Sequence, residues 1–151
     1  MSETPVETPE YGGFWIRLWA SVIDTAAIVF IVGPLVRAIY GPEYFRSPQL
    51  IAGPVDFLLQ WVLPAVAVVA FWIYKSATPG KMITHLRIQD ANTGSPPTPR
   101  QSIVRYLGYY VSMLPFFLGF LMVAFDPRKQ GLHDKIAGTV VVRVRPDDAS
   151  A

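Results

Sequence analysis

The 151-residue chain has no cysteine and only two histidines, His85 and His133, far apart in sequence. The first absence excludes a disulfide framework, thiolate metal sites and thiol chemistry. The second leaves too few ligands for a zinc site. Charge is also scarce: 16% of the residues are Asp, Glu, Lys or Arg, against roughly a quarter in a soluble domain. The net charge of +2 is then read as topology charge rather than a nucleic-acid footprint. No Gly-rich loop follows a strand, and no Ser/His/Asp set or metal-ligand spacing is present. Neither an enzyme nor a bound cofactor or metal is expected.

What the chain has instead is three long apolar runs. Phe14–Val36 is 23 residues interrupted only by Arg17 and Asp24. Phe57–Tyr74 is 18 residues without a charge, and Tyr106–Phe125 is 20 residues without one. Runs of about 18 or more argue for membrane helices. The first is expected to be a retained helix and not a cleaved signal, because Glu3, Glu7 and Glu10 precede it and no base does. Residues 1–13 and 146–151 read as polar, disordered tails around a membrane domain over residues 14–145. Helix 1 is predicted from about Phe14 to Tyr40 and helix 2 from about Val55 to Tyr74, with a short Gly/Pro loop between them.

Between the second and third runs the pattern changes. Ile83–Gln89 is β-rich with near alternation, and Asp90 to Gly94 reads as a turn. A second strand is predicted over Thr139–Arg145. The third apolar run carries Pro115 at its middle. If all three runs cross fully, six basic residues lie on one side and seven on the other, which sets no orientation. If the third run dips in and returns at Pro115, the count becomes eleven against two, with only Arg37 and Arg46 on the poorer side. The two strands then share a side and can pair instead of leaving bare edges. The expected fold is an all-α membrane protein: two transmembrane helices, a third Pro-broken segment that is re-entrant or kinked, and a small cytoplasmic β-strand pair. Three full spans are the alternative.

The informative polar constellation is in helix 1. At 100° per residue, Arg17, Ser21 and Asp24 fall within about 60° of one another, while Trp15 and Trp19 face away. Asp24 lies about 15 Å along the axis from Phe14, near mid-bilayer, where a charge survives only against protein, water or an ion. Arg17 lies shallower and leans away from Asp24, so it is expected to meet another acid, Asp126 or Asp134. Gln60 is a candidate to face Asp24 from helix 2. His133 is expected to be a solvated interfacial histidine, and Thr78-Pro79-Gly80-Lys81 a helix-ending turn whose lysine faces lipid phosphates.

These pieces together resemble the RDD family of integral membrane proteins, named for one arginine and two aspartates. The resemblance rests on Arg17 with Asp24, on Thr78-Pro79-Gly80-Lys81 with Leu86-Arg87-Ile88 and Gly94, and on Asp126-Pro127 through Gly131-Leu132-His133-Asp134-Lys135 to Val142. It covers about Tyr11 to Arg145 and assigns the name residues to Arg17, Asp24 and Asp134. His85 stands where members usually have Gly. The family has been linked to transport of unknown ligands, and some members to sodium–proton antiport. The resemblance therefore implies a multi-pass protein of the bacterial inner membrane, N-terminus cytoplasmic, with lipid bilayer around it and monovalent cations or protons as ligands of Asp24. Desolvation favours the neutral form of a mid-membrane carboxylate and a bound cation restores the charged one. So small a chain is expected to work as a homo-oligomer. The alternative is a membrane scaffold or assembly factor whose buried charges only staple helices.

Overall fold

A computed structural model describes residues 8–146 and 148. The remaining residues of both expected tails lie outside the described residues. Helix α1 runs from Phe14 to Tyr40, unbroken through Pro34, and closes on Gly41, whose N–H donates to the Arg37 carbonyl at 2.9 Å. Gly41 combines φ +82° with an extended ψ of 175°, a region open in practice only to glycine. A 3₁₀ turn over Pro42–Arg46 follows.

The second long helix spans Pro54–Lys75. It consists of α2 (Pro54–Phe57), a π turn over Leu58–Val62, and α3 (Leu63–Lys75). The π turn has a local cause. Pro64 has no N–H to offer the Gln60 carbonyl and its ring crowds that oxygen, so the helix widens by one residue just before it. The loop between the two long helices is tied down by Asp56. Its carboxylate accepts from the Ala52 N–H at 2.8 Å and the Tyr44 hydroxyl at 2.6 Å.

Both long helices are long and apolar enough to cross a membrane. Their outer faces carry exposed Val29, Phe30, Ile31, Trp61 and Val66, as expected of helices whose solvent is lipid. The buried core is small and sits at one end. It joins Ala20 of α1, Trp72 of α3, and Leu86, Ile88 and Val141 from the strands.

Helix α4 (Pro79–Ile83) leads into β1 (Leu86–Asp90), which pairs antiparallel with β2 (Thr139–Arg143) so that Ile88 faces Val141. The two strands predicted from sequence are thus present and pair. Their bounds differ: Ile83 belongs to α4, and His85 holds φ +55° in the turn between. Glu10 to Gly12, assigned by composition to the disordered tail, lie along β2. The Arg143 N–H donates to the Glu10 carbonyl at 2.7 Å and the Gly12 N–H to the Val141 carbonyl at 2.9 Å. The strand's open edge supplies the partners that a polar sequence does not advertise.

The third apolar run forms α5 (Pro99–Met113) and α6 (Leu118–Phe125), bent by 104° at a four-residue break. Pro115 lies in that break, and Phe116 and Phe117 both take positive φ. A short α7 (Leu132–Ala137) then returns the chain to β2.

A charge cluster and a cavity at the helix–sheet junction

Asp134 is the hub of the junction. It is fully buried on α7 and receives Arg17 Nη2 of α1 at 2.6 Å. Its other oxygen receives Arg105 Nη1 of α5. The Gly131 N–H donates to it at 2.9 Å, capping α7. Arg105 also donates to Thr139 Oγ1 of β2 at 2.8 Å. One carboxylate therefore joins α1, α5, α7 and β2. The positive neighbours hold its carboxyl far below the usual range against an opposing desolvation. Losing one partner of such a buried pair typically costs about 3–5 kcal/mol, because the other charge is left stranded.

Sequence reasoning placed Arg17 against Asp126 or Asp134, and the structure selects Asp134. Asp126 instead takes Lys135 Nζ at 2.7 Å and the N–H groups of Arg128 and Gln130. Arg105 was missed. The one signal for it was a cation placed directly before an uncharged run of apolar residues. Its guanidinium lies 5.2 Å from the Trp72 ring centroid, and its Nε and Nη2 have no hydrogen-bond partner among the described residues. Aromatic faces there take the place of water.

His133 is not solvated as expected. It is 2% exposed, packed against Tyr109 at 4.5 Å and Phe120 at 5.3 Å between centroids. Its Nε2 lies 3.1 Å from Arg17 Nη2. Arginine only donates, so Nε2 accepts and the proton sits on Nδ1, facing Ser112 Oγ at 3.4 Å. That imidazole is neutral. Burial is the largest cause, and it pushes the group down to about 2. The reason it is covered lies on α5: Gly108 has no side chain, and a Cβ there would stand 2.9 Å from the His133 Cα.

Asp24 has a different setting. Its Oδ2 accepts from Thr78 Oγ1 at 2.5 Å and its Oδ1 from the Gly80 N–H at 2.7 Å. It thereby pins the first turn of α4 to α1, and the contact is close. A Cβ on Gly80 would lie 2.1 Å from the Ala20 carbonyl oxygen. Ser21 donates to its own helix at the Arg17 carbonyl. Gln60 does not face Asp24. It bonds Asp56 Oδ1 at 2.6 Å at the opposite end of its helix, because Asp56 lies one turn before it and offers an acceptor.

The docking of α4 also carries Lys81 inward. Lys81 is 5% exposed, not facing headgroups as expected from its turn. Among the described residues its ammonium has no hydrogen bond or ion pair, and its Nζ lies 5.9 Å from the Trp72 centroid. Desolvation pushes its ammonium below the ordinary lysine value. Arg105 and Arg17 act in the same direction, and Tyr109 and Asp24 oppose.

Lys81, Asp24, Thr78, Arg17 and His133 are among the polar residues that line one cavity of about 590 Å³. Its walls are apolar, with Phe14, Leu18, Ile28, Met113, Phe120 and Leu121 among them. The cavity is the size of those that hold one small molecule.

Two membrane-length helices, a bent apolar pair and a buried charge cluster beneath them define a small helical membrane protein. The RDD family model matches residues 11–138, and the chain belongs to the RDD family. It is 30% identical to the uncharacterized membrane protein YteJ of Bacillus subtilis, over 93% of this chain and 85% of that one. It is 31% identical to the uncharacterized protein YxaI of the same organism, over 86% of this chain and 95% of that one. An uncharacterized protein of Rickettsia prowazekii is 43% identical over 50% of this chain, a match that spans 41% of that protein. No solved structure matches.

Proposed function

We propose that the chain is a small proton-linked transport protein, or transport subunit, of the bacterial inner membrane, which exchanges protons for a monovalent cation at the Asp24–Lys81 cavity. The observation that carries the reading is Lys81: a buried amine without a hydrogen bond or ion pair among the described residues, in the cavity that Asp24 also lines. Protonated Lys81 and a cation compete for the same negative charge. With its proton, Lys81 adds to the positive field of Arg17 and Arg105 and keeps a cation out. When the proton leaves, a cation such as Na⁺ finds the Asp24 carboxylate and the Thr78 hydroxyl. Burial lowers the cost of that release. The groups facing Lys81 are Arg17 and Asp24 of α1 and Arg105 and Tyr109 of α5. His133 of α7 lines the same cavity, and Asp134 of α7 lies behind the arginines it pairs with.

The pairing of β1 with β2 supports the re-entrant form of the third segment. The strands flank α5 and α6 in the chain, and one antiparallel pair cannot straddle a bilayer. The reading thus has two spans, both termini and the sheet cytoplasmic, and a homo-oligomer that completes the path.

In proteoliposomes, a pH step is expected to drive Na⁺-dependent proton flux that Asp24→Asn abolishes while the protein remains folded. Flux unchanged in both Asp24→Asn and Asp24→Ala would overturn the reading. A specific observation favours the scaffold reading: both Asp24 oxygens already hold α4. Under it, Asp24→Asn loosens the fold or the loss of a co-purifying partner is seen, and the wild type shows no flux.

A further inference from the structure

The junction around the cavity holds three cations, Arg17, Lys81 and Arg105, against two carboxylates, Asp24 and Asp134. His133 is neutral. Asp134 is shared by the two arginines and Asp24 lies on the cavity with Lys81, so the junction as a whole carries one positive charge in excess, and Lys81 is the cation whose ammonium makes no ion pair among the described residues. A buried ammonium without a bonded counter-charge is expensive, and it is relieved either by losing its proton or by gaining an anion. Around it the cavity is walled by Leu18, Ile28, Met113, Phe120 and Leu121, and Leu18 and Leu121 are exposed on the rim. A free inorganic anion would satisfy the amine and leave these walls bare. A diacyl lipid is larger than about 590 Å³ accommodates.

We infer that this cavity binds a single-chain anionic amphiphile, its headgroup on Lys81 beside Arg17 and its acyl chain along Ile28, Phe120 and Leu121. The shared chemistry is one negative headgroup on one chain, whether a carboxylate (a fatty acid) or a phosphate (a lysophospholipid). Rim residues of apolar type open the site to the lipid phase, where such molecules are dissolved. Resting on the transport reading, it adds a consequence. The bound anion keeps Lys81 protonated and so opposes cation entry. The binding itself does not depend on exchange taking place.

The test is native mass spectrometry and equilibrium binding of the full chain in a neutral detergent, with oleate, oleoyl-lysophosphatidylglycerol and uncharged methyl oleate as probes. One anionic probe is expected to bind saturably at one per chain, and the stronger of the two identifies the headgroup class. Methyl oleate and the Lys81→Met variant should each bind about thirtyfold more weakly, the loss typical of removing one partner of a buried charge pair. Binding is read at equilibrium without a pH gradient and flux separately in proteoliposomes, so the failure of one reading is distinguishable from failure of the other. Should Lys81→Met fail to fold, Val123→Phe fills the same cavity and is expected to remove binding. Equal binding of methyl oleate and oleate, or oleate binding unaffected in a folded Lys81→Met or Val123→Phe protein, would overturn the inference.

Discussion

At the scale of single residues, the junction spends its charges on one another and leaves a histidine uncharged among them. A neutral His133 has a measurable consequence. The unfolded chain takes up a proton near pH 6.5 that the folded imidazole refuses until about pH 2. Its depressed value means that stability falls as the pH drops through this window, by up to about 1.4 kcal/mol per unit. The Asp134 carboxylate, also depressed, adds its own loss only below its ordinary value of 3.8. Melting in neutral detergent is therefore expected to move down by several degrees between pH 7.5 and pH 5. His133→Gln keeps an acceptor for Arg17 and a donor for Ser112, and it should flatten that dependence. A wild-type midpoint constant over the interval would contradict the neutral, buried histidine. The residue scale is also where the sequence spoke least. Arg17 with Asp134 was legible from a shallow arginine needing an acid. Arg105 and His133 were not, because their burial depends on Gly108 letting α7 approach α5, which no periodicity encodes.

At the scale of elements, α1 and the Pro54–Lys75 helix were legible nearly to the residue, since apolar length is the strongest signal a sequence carries. The strands were legible as alternation, and their pairing followed from the charge count that folded the third segment back. What the pattern hid was α4. Thr78-Pro79-Gly80-Lys81 reads locally as a turn, and only the Asp24 carboxylate at its first N–H makes it a helix docked on α1. His85 shows the reverse case. Its φ of +55° is a conformation in which glycine is relaxed and histidine is strained. Asp24 was read as a mid-membrane carboxylate that either binds a cation or proton or staples a neighbouring helix, with Gln60 a candidate to face it; the structure gives both its oxygens to α4. The close contact makes a prediction for the element. Gly80→Ala would set a methyl 2.1 Å from the Ala20 carbonyl, so backbone must shift. The substitution is expected to lower the melting midpoint more than Gly33→Ala, where a Cβ meets nothing within 4 Å. The two should be compared by thermal unfolding in the same detergent. Equal midpoints would mean that α4 does not depend on α1.

At the scale of the whole molecule, the cavity, the charge cluster and the sheet all sit at one end of two helices whose outer faces remain apolar. Such a body is oriented in a bilayer by its bases, and the re-entrant form puts eleven of thirteen on one side. Everything proposed for Lys81 and Asp24 depends on that placement, because it sets the cavity at the cytoplasmic boundary of the membrane. Since the chain has no cysteine, single introduced thiols report position without background. The direct measurement is labelling of intact cells by an impermeant maleimide at Gln49→Cys, in the loop between the two long helices, and at Ala151→Cys. Labelling from outside at Gln49→Cys, with Ala151→Cys reacting only after the membrane is opened, is the predicted result; external labelling at both positions would show that the third segment crosses and would contradict it.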